Sequence, residues 1–433
     1  MSKWSRIKLA EIADIRVSNV DKKSYQGEKS VMLCNYMDVY SNDYITHDIS
    51  FMEATANTIE IKKFTISKGD VLITKDSESP FDIGIPAVVE EDIDNLICGY
   101  HLAQLKPDHN KVDSVFLAKQ LAMPDVCSYF SRVAAGSTRY GLSNRAIANT
   151  SIVLPSLEIQ RKISSILQIL DKSIEKTELL IDKYNKIKNG MMHDLFSRGI
   201  GSDGKLRESL SSNPSLYKET PYGFIPVEWD ICLLDDIAIR GSGHTPNKKI
   251  PAYWNGGIKW VSLADSSKLD NIYISNTELE LSTLGIQNSS AVVHPKGTVI
   301  LSRDAGVGKS AILAEEMAVS QHFMAWRCGN RLNNLFLYYW LQFNKRNFEN
   351  IAMGSTIVTI GLPYFKKMKI QFPKKTEEQE SIASKLKAID DYINKLKQSV
   401  SKNKNKKRAL MHELLTGKKC INFESENVEV NHV

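Results

Sequence analysis

The chain has 433 residues, of which 42% are hydrophobic and 24% charged, with a formal net charge of +6 at pH 7. Such values belong to a globular protein of about three domains by length, and no run of about 18 apolar residues suggests a membrane span. The positive balance permits a polyanionic partner without requiring one.

The opening segment, MSKWSRIKLAEIAD, carries charge where a secretory signal would be apolar, so a cytoplasmic protein is expected. Six scattered cysteines with no C-x-x-C pair predict neither a disulfide frame nor a zinc site. Short apolar runs such as DVLIT from Asp70 read as strands, and SVFLAKQLAM from Ser114 reads as a helix. AAGSTRYGL follows at Ala134, then IVLP ending at Pro155, then a long amphipathic stretch from Glu158. GIGSDGKLRESLSSNPSLYKETPYGFIP, rich in Gly, Ser, Asn and Pro, reads as a linker.

After the linker the order repeats. WDICLLDDIAI at Trp229 matches WSRIKLAEIADI at Trp4, and KGTVILSRD at Lys296 matches KGDVLITKD at Lys68. NLFLYYWLQ reads as a helix, and AMGSTIVTIGL at Ala352 matches the segment at Ala134. IQFP and EEQESIASKLKAID match IVLP and EIQRKISSILQILD, and LMHELL around His412 matches MMHDLF around His193. The order is kept while the offset drifts from 218 to 228 residues, which predicts two copies of one scaffold with insertions in its loops.

Each copy ends in a long helix with a 4-3 seam. The first seam holds Ile163, Leu167, Leu170, Ile174, Thr177, Ile181, Tyr184, Lys188, Met191 and Leu195. The second holds Ile382, Leu386, Ile389, Ile393, Leu396, Val400, Asn403, Lys407, Leu410 and Leu414. Eight of ten are apolar in each, and Lys188 and Lys407 occupy the same site. This is a coiled-coil pattern; a helix packed on its own domain is the other reading. If the two helices pair, the path of the chain makes them antiparallel and gives the copies an approximate twofold relation. The expected fold is α+β: two mixed α/β domains separated by two long helices.

RDAGVGKS, Arg303 to Ser310, ends like a phosphate-binding loop, but the first Gly of that template would fall on Arg303. SAILAEE in register with IPAVVEE favours a strand after Lys309, where a phosphate loop needs a helix. What the copies share is a cation and an Asp between two strands, Lys75-Asp76 and Arg303-Asp304. A hairpin turn with a solvent-exposed Arg and a loop facing nucleic acid both fit.

The tandem plan, GSGHTPNKKIPAYWNGGIKWVSLAD from Gly241, LSRDAGVGKSAIL, the two GST segments and the P…EIQ and P…EEQ starts of the helices together resemble the specificity subunit of a Type I restriction-modification enzyme. The first copy lacks the Thr-Pro and Tyr-Trp elements of that pattern after IADIRVSN. The resemblance implies target-recognition domains at residues 1–156 and 227–374, each reading half of a split double-stranded DNA sequence. It implies spacer helices at 157–198 and 375–417, joined through 199–226, with 418–433 as a tail. It also implies two docked modification (methyltransferase) subunits that use S-adenosylmethionine, and restriction subunits that use ATP and Mg. A rod of about 33 residues is roughly 50 Å long, or about 14 base pairs. The alternative is a coiled-coil scaffold that pairs proteins without reading DNA.

Within that reading, Ser137, Thr138, Ser355 and Thr356 suit phosphate contact or a capped turn. Arg139 and Tyr140 occur only in copy one, as residues reading one half-site would. His244, Thr245, Lys248, Lys249, Tyr253 and Trp254 fit a DNA-facing loop or an aromatic core with a solvated Lys pair. Lys75, Arg303, Lys309 and Arg327 are further candidate DNA contacts, and His322 flanks the same apolar strand as Arg327. His193 and His412 lack metal-site spacing and read as helix-end packing or partner docking. KNKNKKR at Lys402 reads as a solvated face, with nonspecific attraction to DNA as a further use. No Pro-Pro pair, F-x-G-x-G loop, complete phosphate loop or nuclease carboxylate cluster is found, so no catalytic or metal residue is expected on this chain.

Overall fold

A computed structural model describes residues 4–353 and 358–419. Ser355 and Thr356 lie outside the described residues. The chain divides into two compact units. Unit one holds the residues up to Glu178 together with those from Gln398 onward, and unit two holds Leu179–Lys397.

Unit one is built on a five-stranded sheet in the order Ala13–Val17, Leu102–Pro107, Val71–Thr74, Pro86–Val89, Tyr44–Ile45. Its neighbours are antiparallel except the last pair, which is parallel. All four residues of Val71–Thr74 are buried because both faces of the sheet are covered. Val71 and Ile73 pack into a core with Phe116 of the helix Ser114–Leu121. Leu72 points to the other face, into a core with Leu33 and Ile97 from a three-stranded layer.

Unit two repeats this plan. Its sheet runs Ala238–Ser242, Phe323–Cys328, Val299–Ser302, Ser310–Leu313, Tyr273–Ile274, with the same alternation of antiparallel and parallel pairs. Val299 and Leu301 pack with Phe336 of the helix Asn334–Phe343, while Ile300 packs with Val261 and Val319 on the opposite face. The residues after Gly308 and Lys309 form the strand Ser310–Leu313, so no helix follows the half-matched phosphate loop.

Each unit also contains parts of both long helices, α1 (Leu157–Arg198) and α2 (Thr376–Leu415). In unit one, Lys407 Nζ meets Asp171 Oδ1 at 2.6 Å and Lys404 Nζ meets Glu178 Oε1 at 2.7 Å, so the two segments run in opposite senses. In unit two, Lys188 Nζ meets Asp390 Oδ1 at 2.6 Å and the rings of Tyr184 and Tyr392 lie 4.6 Å apart, again in opposite senses. Ile163, Leu167, Ile174, Ile382, Leu386 and Ile393 are buried; Leu170, Ile181, Ile389 and Leu396 are half-buried. The polar seam site is therefore an ion pair in both units. Lys119 and Tyr44 add contacts to Asp171 at 2.8 and 2.9 Å, and the Tyr339 hydroxyl donates to Asp390 at 2.8 Å. Burial, then the Asp390 charge, push the Tyr339 phenol far above its ordinary range and keep it a donor.

One glutamine at the start of each long helix fastens it to its unit. Gln160 Oε1 accepts from the Asp113 amide at 3.0 Å, while its Nε2 donates to the carbonyls of Lys111 and Pro155. Gln379 makes the same three bonds with Asn333, Arg331 and Pro373. The far ends match as well. Gly199 and Gly417 follow the helices at φ of 65° and 69°, a left-handed cap that glycine adopts without strain. A Cβ on Gly199 would stand 2.9 Å from Trp229, and one on Gly417 2.9 Å from Trp4.

Residues 199–226 carry structure of their own. Tyr217–Thr220 and Gly223–Pro226 form a hairpin, and Ile200 and Ile225 enter the core of unit two. Arg207 Nη1 and the Trp229 indole N–H both donate to Glu378 Oε1, at 2.5 and 2.9 Å.

Candidate nucleic-acid interface

In unit one the strand Val71–Thr74 ends at Lys75 and Asp76, beside the turn that carries His101 and the segment from Gly136 to Gly141. Asp76 Oδ2 accepts from His101 Nδ1 at 3.0 Å, and Lys75 Nζ lies 3.5 Å from the same carboxylate. The Lys75 ammonium also sits 4.9 Å from the centre of the Tyr100 ring. Asp76 pairs with Gly141 and Ser77 with Tyr140, while Ala135 closes a bridge to Gly141. Gly136 has φ of 142°, and a Cβ there would fall 1.9 Å from the Arg139 carbonyl oxygen, so the turn needs glycine. Ser137, Thr138 and Arg139 are exposed on this turn; Tyr140 is half-buried. Arg139, His101, Asp76, Glu78, Tyr36 and Tyr40 line a cavity of about 350 Å³.

Unit two holds the counterpart. Asp304 Oδ2 accepts from His322 Nδ1 at 2.7 Å, and the Thr359 hydroxyl donates to Asp304 Oδ1. Asp304 bridges Thr359 and Met353 bridges Thr359, the same pattern as Asp76, Ala135 and Gly141. Arg303 does not wave in solvent: its Nε donates to the Ile360 carbonyl at 3.0 Å, and only 19% of its side chain is exposed. The Thr245 hydroxyl donates to Gln321 Oε1, and Gln321 Nε2 lies 3.4 Å from His322 Nε2. Thr245, Arg303 and Thr359 thus share one hydrogen-bonded cluster.

Other candidates stand apart from it. Lys309 Nζ donates to the carbonyl and hydroxyl of Ser266, at 3.1 and 3.2 Å. Lys248 and Lys249 are exposed, while Trp254 packs edge-on against Trp260 at 5.2 Å. Arg327 is exposed on the strand Phe323–Cys328. Among the described residues, no cluster of three or more His, Cys, Asp or Glu side chains could hold a metal ion, and no helix is long and apolar enough to cross a membrane. Sequence reasoning passed over His101, whose signal was a histidine just before an apolar strand in both copies, YHLAQL and QHFMAW.

Comparison with known proteins gives a consistent result. The family described as Type I restriction modification DNA specificity domain matches residues 1–184 and 226–404. A type I restriction enzyme specificity subunit of Methanocaldococcus jannaschii, MjaVIII, is 23% identical over 425 residues, covering 93% of this chain and 92% of its own. Another from that organism, MjaIX, is 33% identical over 186 residues, 42% of this chain and 43% of its own. The crystal structure of a Type-I restriction-modification system S subunit from M. genitalium has the same fold, with a TM-score of 0.60 and 15% identity over 95% of this chain and 96% of that one. With the family matched in both halves of the sequence, and the same fold solved elsewhere across nearly its whole length, this chain belongs to the Type I restriction-modification DNA specificity subunits.

Proposed function

We propose that this chain is the noncatalytic DNA-recognition subunit of a Type I restriction-modification complex acting in the cytoplasm. Residues 1–156 and 227–374 are two target-recognition domains, each reading half of a bipartite double-stranded target. The helices within 157–198 and 375–417 form an antiparallel coiled coil that sets the unread gap. The repeat offers two equivalent faces, on which two methyltransferase subunits dock; restriction subunits join where the cell makes them. S-adenosylmethionine, ATP and Mg belong to those partners.

The observation that supports this most is the doubled Asp–His pair at the end of the matching central strand, Asp76 with His101 and Asp304 with His322, one in each unit. The opposed ion pairs of α1 and α2 support the spacer. The test inserts one heptad into each helix at matched positions and footprints the complex with its modification subunit. Seven residues add about 10 Å, so the gap should lengthen by about 3 base pairs with both half-sites unchanged. One continuous protected element, or an unchanged gap, overturns the reading.

A further inference from the structure

From the paired geometry of Asp76 with His101 and Asp304 with His322, and resting on the DNA-recognition reading above, we infer that the two histidines are equivalent contacts to DNA backbone phosphates, with the two aspartates as their positioning residues. An ionised carboxylate can only accept a hydrogen bond, so Nδ1 of each imidazole carries the proton in the bonds of 3.0 and 2.7 Å. The ring is then fixed in orientation, and Nε2 is the outer edge: among the described residues it has no protein partner in His101, and in His322 it lies 3.4 Å from the Gln321 amide, which a ligand would displace. The side chain of His101 is 20% exposed and that of His322 30% exposed, so both rings are partly open to solvent. His101 and Arg139 also line one cavity of about 350 Å³.

The two units keep this arrangement while changing what surrounds it. Lys75 becomes Arg303, Tyr100 becomes Gln321, and Gly141 becomes Thr359, yet the Asp–His bond and the backbone bridges persist. Retention of one polar pair amid altered neighbours is what a contact common to both half-sites requires, since phosphates are the same in every sequence. The neighbours are then free to differ with the bases read. A phosphate oxygen can only accept, so the contact uses the imidazolium, with Nδ1–H on the carboxylate and Nε2–H on the phosphate.

The charged and titratable groups facing each ring are specific. Around His101 they are Asp76, Lys75 and Tyr100, and Glu78, Asp82, Arg139, Tyr36 and Tyr40 line the same cavity. Around His322, among the described residues, they are Asp304 and Arg303.

The experiment measures DNA affinity of the complex with its modification subunit across a salt series at pH 6 and pH 8, for the wild type, His101→Gln, His322→Gln and the double variant. Each lost phosphate contact should flatten the slope of log K against log salt by about 0.9, so by about 1.8 in the double variant. Wild-type affinity should fall between pH 6 and pH 8, as contacts that need Nε2–H are lost, and this response should vanish in the double variant. Discrimination between the target and altered half-sites should be retained. Asp76→Asn and Asp304→Asn leave an acceptor for Nδ1 in place and should flatten the salt slope less than the His→Gln variants do, which separates positioning from folding. A double variant with the wild-type slope and pH response overturns the inference. So does loss of discrimination with an unchanged slope, which would assign the histidines to base edges. A wild-type complex that shows no sequence preference instead overturns the underlying recognition reading, and the slope then still decides the phosphate contacts.

Discussion

Removing both members of the Lys188–Asp390 pair should cost clearly less than the sum of removing each alone. The bond is 2.6 Å long and the side chains are only 19% and 14% exposed. At an effective dielectric of about 20, such charges attract by about 6 kcal/mol, and desolvation offsets most of it. Asp390→Ala strands the Lys188 ammonium and the Tyr339 hydroxyl in the seam, so a loss of about 2–4 kcal/mol is expected. Lys188→Met leaves Asp390 with the Tyr339 hydroxyl as a donor and a longer apolar contact at the seam, so about 1–2 kcal/mol is expected. The double variant removes both charges together. Its loss should fall short of the sum by about 1.5–2 kcal/mol. Unfolding of a chain with two units is not one transition, so the assay is native-state hydrogen exchange of α1 and α2 amides flanking the pair. A coupling below about 0.5 kcal/mol, the range of exposed pairs, would refute the assignment of this site as a structural lock.

Further outcomes follow from single positions. Gly136→Ala places a Cβ 1.9 Å from a backbone oxygen, so the turn carrying Ser137 to Arg139 must refold; discrimination at one half-site should collapse while the other is kept, read by competition with singly altered targets. Gly417→Ala should cost about 1–2 kcal/mol from its left-handed cap and the Trp4 contact. Gly199→Ala should cost more in the same tryptophan-fluorescence unfolding assay, because its Cβ also meets Glu378 Oε1 at 2.4 Å. Burial alone would raise the Asp43 carboxyl, yet the Lys119 and Lys407 ammoniums hold it at about 2, below its ordinary 3.8. Its stabilisation is therefore present above about pH 4 and lost as pH falls toward 2. Asp43→Asn should be less stable than wild type at neutral pH, by a modest amount since the side chain is 51% exposed, and indistinguishable near pH 2 in acid-unfolding curves.

Much of the architecture was legible because its causes are periodic. DVLIT and TVILS read as strands whichever face they show, since both faces are buried. The 4-3 seams were legible for the same reason, down to the matched lysines; their partners Asp171 and Asp390 were not, because they lie off the seam positions. EIQ and EEQ could be matched as strings, but two of the three backbone bonds of each glutamine go to loops more than 40 residues upstream in sequence. Residues 199–226 have the composition of a linker, and what ties them down is a charge cluster around Glu378 that periodicity cannot reveal. The candidate site was half visible. Arg303 and Asp304 stood out beside the apparent phosphate loop, whereas His101 approaches Asp76 only after the sheet has formed.

Unit one draws its last pieces from the far end of the polypeptide: Leu414 and Leu415 enter its core, and Gln120 Nε2 donates to the Leu415 carbonyl at 2.7 Å. During translation those residues emerge only after all of unit two, a delay of roughly 10–45 s at about 5–20 residues per second. Until then the nascent first half displays greasy surface with nothing to cover it, so ribosome-associated chaperones should hold it longest, and premature release should leave that half sticky while the second is already whole.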